Sequence, residues 1–145
     1  MELSTQMIVR DALQLVMALG LGALVGLERR LRGHPAGIHT NALVALGSAA
    51  FVIAGISLGG DVSRVAAQVV TGSGFICGGV ILHQGTDIRG LNTAATLWCS
   101  SAIGMLAAVN RPLLASLVAS VVLLTNVSLH YVEHALVAAG TDETP

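Results

Sequence analysis

The chain has 145 residues, 54% of them apolar and only 10% charged, with a formal net charge of −1. An ordinary soluble domain carries roughly a quarter charged residues. Too few polar groups remain to cover a water-facing surface, so the class is integral membrane and all-α. The seven basic residues are all arginine and are balanced by eight acids, which gives no basic field and excludes nucleic acid as a partner.

Five apolar runs between polar breaks read as transmembrane helices over residues 8–27, 41–58, 62–82, 93–109 and 113–132. Each is long enough, at ~1.5 Å per residue, to cross about 30 Å of hydrocarbon. Span one holds Gly22-Ala-Leu-Val-Gly26 and runs straight into "ERRLRG". No small-residue cleavage site follows it, so it is a retained span and not a secretory signal. Glu28 closes this span at the negative end of the helix dipole, so it needs a cation: Arg29 or Arg30 locally, or Arg89 across the bundle. Span two has Thr40 or Asn41 as its cap and carries Gly55-Ile-Ser-Leu-Gly59. "GGD" at 59–61 ends that helix and lets Asp61 cap the next.

Span three places Arg64, Gln68 and Thr71 at i, i+4 and i+7, one polar face on an otherwise apolar helix. Arg64 in the first turn opposes the dipole and calls for an anion, with Asp61 and Asp11 at the same face. The span continues through Gly74-Phe-Ile-Cys-Gly78. A loop over 83–91 leads into "RGLNTAATLW", where Asn92 or Thr93 caps span four and Thr93, Thr96 and Ser100 line one of its sides. "NRP" puts Pro112 in the first turn of span five, on which Ser116 and Ser120 repeat the small-residue spacing. Residues 1–134 thus form the membrane domain and 135–145 a short polar tail.

Arg29, Arg30, Arg32 and Arg89 fall on one side of the membrane and Arg10, Arg64 and Arg111 on the other. The cluster after the first span sets the cytoplasmic side, leaving the N-terminus outside and the C-terminus in the cytoplasm. All five histidines (His34, His39, His83, His130 and His134) then reach the cytoplasmic face. His130 and His134, four apart, share a helical face that could bind metal or titrate, although interfacial histidines without a special role are the simpler reading. Cys77 and Cys99 are too few, and wrongly spaced, for a disulfide framework or a zinc site, and read as packing thiols.

In lipid, helix association depends on close backbone approach. Gly22, Gly26, Gly55, Gly59, Gly74 and Gly78 therefore read as packing positions in a tight bundle with a self-association face, a dimer being the first expectation. "GLGALVG" and "GSGFICGG" are not phosphate loops, because no strand precedes them. The polar residues serve either as caps and interhelical glue or as the lining of a cleft between spans one, three and four. No acid pair shares a span interior, so a one-chain Mg²⁺ cage is not evident. Any metal ligand remains unassigned, although an oligomer could build a ring from single copies. No nucleophile–base pair emerges, so neither an enzyme nor a cofactor is expected.

"GLERR" at 26–30, "AGIHTNALVALGSAAFV" at 36–52, "SRVAAQVVTGSGFICGGVIL" at 63–82 and "RGLNTAATLWCSSAIGMLAA" at 89–108 resemble the MgtC/SapB membrane-protein family in order and spacing. The resemblance implies a bacterial inner-membrane protein linked to survival at low magnesium and inside phagocytes, acting on partners such as the F-type ATP synthase. Larger family members add a soluble C-terminal domain of ACT-like fold, and regulation through such a domain is not expected of this sequence. Glu28, Arg29, Thr40, Asp61, Arg64, Arg89, Asn92, Thr93 and Thr96 fall on family motif positions, while His39 stands where the family commonly has Arg. The functional expectation is a non-enzymatic regulator of membrane partners. The alternative is a transporter or channel for Mg²⁺ or another cation.

Overall fold

The computed structural model describes residues 2–84 and 87–140. It has five helices: α1 (Glu2–Leu31), α2 (Ile38–Ser57), α3 (Val62–Val80), α4 (Leu91–Ala108) and α5 (Pro112–Gly140). A two-stranded hairpin of β1 (Leu82–Gln84) and β2 (Asp87–Arg89) stands between α3 and α4, with Leu82 opposite Arg89 and His83 opposite Ile88. The fold is all-α apart from that hairpin, which replaces the expected loop. It also shortens span three, because Ile81 turns extended at φ −80°, ψ 116° to enter β1. At the other end of the chain, helix α5 continues beyond Tyr131 to Gly140. The last five residues of the expected polar tail, 141–145, lie outside the described residues.

Three helices end on the same device. At the end of α1, Gly33 is left-handed at φ 74°, and the N–H groups of Gly33 and His34 donate to the carbonyls of Arg30 and Arg29. Gly59 at φ 67° and Gly60 close α2 onto Ile56 and Gly55 in the same way. Asn110 at φ 58° and Arg111 close α4 onto Ala107 and Leu106. These are paired 5→2 and 6→1 bonds that satisfy orphan carbonyls, with Gly or Asn at the left-handed position. Gly59 therefore acts as a helix cap. A Cβ there would meet nothing within 4 Å in the chain.

Helix α4 packs against each of the other four helices, and α1 and α2 form a further extensive contact. The core between them is built from small residues: Ala18, Ala49, Ala107, Ala108 and Ala115 surround Val52. Alanine lets helix axes approach, which is what dispersion-driven packing in lipid requires. A Cβ on Gly104 would overlap the carbonyl of Ala45, and one on Gly22 would lie 2.7 Å from the carbonyl oxygen of Asn41. Both mark crossings where α2 touches a neighbour backbone to backbone. Large apolar side chains point outward instead, among them Leu13, Val16, Phe51, Phe75, Leu113 and Leu124. Helices α1, α2 and α5 are each long and apolar enough to cross a membrane.

Candidate functional site

The polar residues sort into three places. The first is a buried seam between α2 and α4. Asn41 is fully buried, and its amide donates to the carbonyls of Ala36 and Gly37, 3.0 Å each. Its side-chain oxygen accepts from the Ser100 hydroxyl at 2.8 Å, and Ser48, two turns further along α2, shares a hydrogen bond of 2.8 Å with Ser101. Thr93 and Thr96 are buried on the same helix, Thr96 donating to the Asn92 carbonyl at 2.9 Å. These positions correct the expected caps. Gly37 and Gly90 occupy the N-cap positions of α2 and α4 without side-chain hydrogen bonds. Asn41 and Thr93 lie inside the helices, and their side chains are buried in the bundle instead of closing a helix end. Gly90 is left-handed at φ 93°, and a Cβ there would strike the Val80 carbonyl, so the start of α4 can approach the end of α3 this closely only with glycine.

The second place is the end of the bundle where α1 finishes and α4 begins. Glu28 forms an ion pair with Arg32 and accepts from the Asn126 amide at 3.3 Å. Arg89, the partner expected across the bundle, is exposed at the end of β2 and makes no ion pair among the described contacts. The i,i+4 geometry on α1 puts Arg32 within reach of Glu28 first. The Arg32 guanidinium lies 5.9 Å from the centre of the Tyr131 ring. Arg29 is 1% exposed, and neither its Nε nor its Nη2 has a hydrogen-bond acceptor. Beside it is a cavity of about 230 Å³, whose walls include Arg29, Arg32, His34, Asn92, Thr125 and Asn126.

The third place is an open groove of about 1060 Å³ between α2 and α3. Thr40 and His39 stand at one end, and Arg64 and Gln68 at the other, with Gly47, Phe51, Gly72 and Ile76 along the walls. Arg64 is exposed in this groove and makes no ion pair among the described contacts. Of its expected anions, Asp11 pairs with Arg10 at 3.2 Å and Asp61 caps α3. The Asp61 carboxylate accepts from the Ser63 hydroxyl at 2.6 Å, the Ser63 N–H at 2.9 Å and the Arg64 N–H at 3.4 Å. Those bonds, the Ser63 hydroxyl foremost, hold its pKa below the ordinary carboxylate value.

The structure thus brings Glu28, Arg29 and Asn92 to one end, Thr40, Arg64 and Gln68 to the groove, and Thr93 and Thr96 to the core. Asp61 and Arg89 stay at the periphery. Within the chain Gly26 packs against Gly37, Gly55 against Val65, and Gly22 against α2, while Gly74 and Gly78 have nothing within 4 Å. Asn126 and Thr125 were not singled out from the sequence, although an amide in the middle of an apolar run was signal enough. Cys77 and Cys99 are both free thiols. The described residues hold no cluster of three His, Cys, Asp or Glu side chains able to hold a metal ion. The side chains of His83, His130 and His134 lie outside what is described.

Long apolar helices with apolar faces outward, and polar groups gathered inside on small-residue crossings, define a helical membrane protein. Comparison with known proteins narrows that class. The model described as MgtC family matches residues 15–135, and the chain belongs to that family. Protein MgtC of Salmonella typhimurium strain LT2 is 53% identical over 95 residues, 65% of this chain and 41% of that protein. Protein MgtC of Brucella abortus strain 2308 is 54% identical over 88 residues, 59% of this chain and 37% of that protein. An uncharacterized protein of Synechocystis is 47% identical over 119 residues, 81% of this chain and 51% of that one. The matched region therefore covers about half or less of each of these relatives. No solved structure matches the chain.

Proposed function

We propose that the chain is a non-enzymatic adaptor of the bacterial inner membrane, crossing it five times with its N-terminus outside and its C-terminus in the cytoplasm. In this reading it acts by packing against other membrane proteins, the F-type ATP synthase among them, during adaptation to low magnesium and life inside host cells. The family, whose relatives carry the name MgtC, supports the setting. The groove between α2 and α3 carries the mode of action. It is wide, lined mainly by apolar and small side chains, with its larger polar side chains towards its ends and Ser48 and Ser73 along its length. A helix from another protein lying there would bury apolar surface against Gly47 and Gly72 and meet hydrogen-bonding groups at either end. The open positions Gly74 and Gly78 on α3 leave room for a second copy of the chain as well. A cation-transport role draws no support from the groove, whose charged lining residue is Arg64.

Gly47 and Gly72 line the groove, and a Cβ on either would meet nothing within 4 Å. Gly47→Leu and Gly72→Leu are therefore expected to leave folding intact, with helix propensity improved by up to about 1 kcal/mol per site, while filling the groove. Tagged chain isolated gently from bacterial membranes should carry ATP synthase subunits when wild type and lose most of them in either variant. Wild-type chain that emerges without them, or variants that retain them fully, would sink this reading.

A further inference from the structure

Arg29 presents a charge without a matching acceptor. Its side chain is 1% exposed, its Nε and Nη2 have no hydrogen-bond acceptor, and both atoms are buried. Glu28 next to it adds a favourable field but no hydrogen bond or ion pair among the described contacts, because its carboxylate is engaged by Arg32 and Asn126. Arg29, Arg32 and Glu28 leave one net positive charge there, before counting His34. A buried cation without a hydrogen-bonded partner is costly in a low-dielectric setting, and such a group by default invites a functional reading.

The donors beside it fit one class of ligand. The guanidinium edge formed by Nε and an Nη atom offers two parallel N–H groups, the fork that grips two oxygens of a single anion. Asn92, Thr125 and Asn126 line the same cavity and supply amide and hydroxyl donors. A carboxylate spends both oxygens on the guanidinium, whereas a tetrahedral oxyanion keeps others for these donors. Asn92 is the second residue of α4, an 18-residue helix whose N-cap glycine has no side-chain cap bond. The positive end of that helix dipole therefore borders the cavity. At about 230 Å³ the space falls below the roughly 300–1,000 Å³ of sites for drug-sized ligands, which suits an ion or a single headgroup. The site sits where the apolar length of α1 ends, beside Tyr131, a residue type that favours the headgroup level.

We propose that the cavity beside Arg29 is a binding site for a phosphate-type oxyanion, supplied by a lipid headgroup or by free phosphate. It shares no lining residue with the α2–α3 groove, so it stands or falls separately from the adaptor reading.

The test uses the full chain, stripped of lipid in an uncharged detergent, with thermal unfolding as the readout. One arm titrates inorganic phosphate against chloride at matched ionic strength and pH. The other titrates phosphatidylglycerol against diacylglycerol, which has the same chains and no phosphate. A saturable rise in the unfolding midpoint in either arm is expected, and the responding arm identifies the source. Arg29→Gln should weaken that apparent affinity by about tenfold or more. It should also unfold at a higher temperature than wild type when no oxyanion is present, because the unmatched charge is gone. A purely structural arginine gives the opposite order. Should Arg29→Gln fail to fold, Asn92→Ala and Thr125→Val are expected to lower the affinity severalfold. No saturable response in either arm, or an affinity unchanged in all the folded variants, overturns the proposal.

Discussion

Asn41 carries more of the bundle than its position at the head of an apolar run implies. Its amide holds the incoming turn through the Ala36 and Gly37 carbonyls, and its oxygen takes the Ser100 hydroxyl from α4. Asn41→Ala leaves those groups in an apolar interior, at an expected cost of about 1–3 kcal/mol. A double-mutant cycle with Ser100→Ala, measured by reversible unfolding in detergent, should give a coupling near ~0.6 kcal/mol and at most ~1.7 kcal/mol, the range found for interhelical bonds in membranes. Strict additivity would show that the contact contributes nothing. The sequence shows an asparagine next to a helix start, which is the pattern of a cap, and nothing local distinguishes a cap from an inward-facing donor. The same limit applies to Glu28. Its need for a cation was legible, but the partner is Arg32 and none of the expected Arg29, Arg30 and Arg89, a choice that depends on how the turn after α1 folds back and where the hairpin puts Arg89. Arg29 reads as one of several arginines in a loop, and its burial follows only from how α4 and α5 close over the end of α1.

At the level of elements, hydropathy located all five helices to within a few residues at most inner boundaries, because an apolar run of that length has few other ways to satisfy its backbone. Ends were less legible. Helix α3 stops early because a hairpin follows, and α5 runs on because nothing in "VEHALVAAG" forbids helix. Asp61 is the one expected N-cap that the structure places as such. Its carboxylate has a lowered pKa because Ser63 and Arg64 hydrogen-bond to the charged form. The sign follows: a depressed folded pKa stabilises the folded state above the ordinary carboxylate value of 3.8, and that contribution disappears as pH falls through the folded value. Hydrogen exchange at residues 63–66 is expected to be slow at neutral pH and to quicken relative to the rest of α3 in strong acid. Asp61→Asn should remove most of that pH dependence while keeping part of the cap. An unchanged acid response in the variant would show that another group controls the start of α3.

For the molecule as a whole, the least apolar surfaces are folded inward and the most apolar turned out, the reverse of a water-soluble bundle. In the proposed topology, five crossings put the two termini in opposite compartments, and the arginines after α1 set which is which. Reporter fusions should therefore show an external N-terminus and a cytoplasmic C-terminus, and both reporters in one compartment would mean an even number of crossings. Moving Arg29, Arg30 and Arg32 to the other flank of α1 would be a poor control, since Arg32 also holds Glu28 and Arg29 lines the cavity. Added arginines ahead of residue 8 are cleaner and should drive part of the population to the inverted state.

The placement of α4 bears on how the chain is made. Its hydroxyls bond to Asn41 and Ser48 on α2, but its other faces pack on helices synthesised both before and after it, so its packing is incomplete while it is the newest segment leaving the ribosome. Insertion must hold α4 in a provisional state, at the margin of the bilayer or beside the insertion machinery, until α5 arrives to seal the last side. A nascent chain stopped at Asn110 would then be a substrate for quality-control proteolysis, although it already contains four of the five helices.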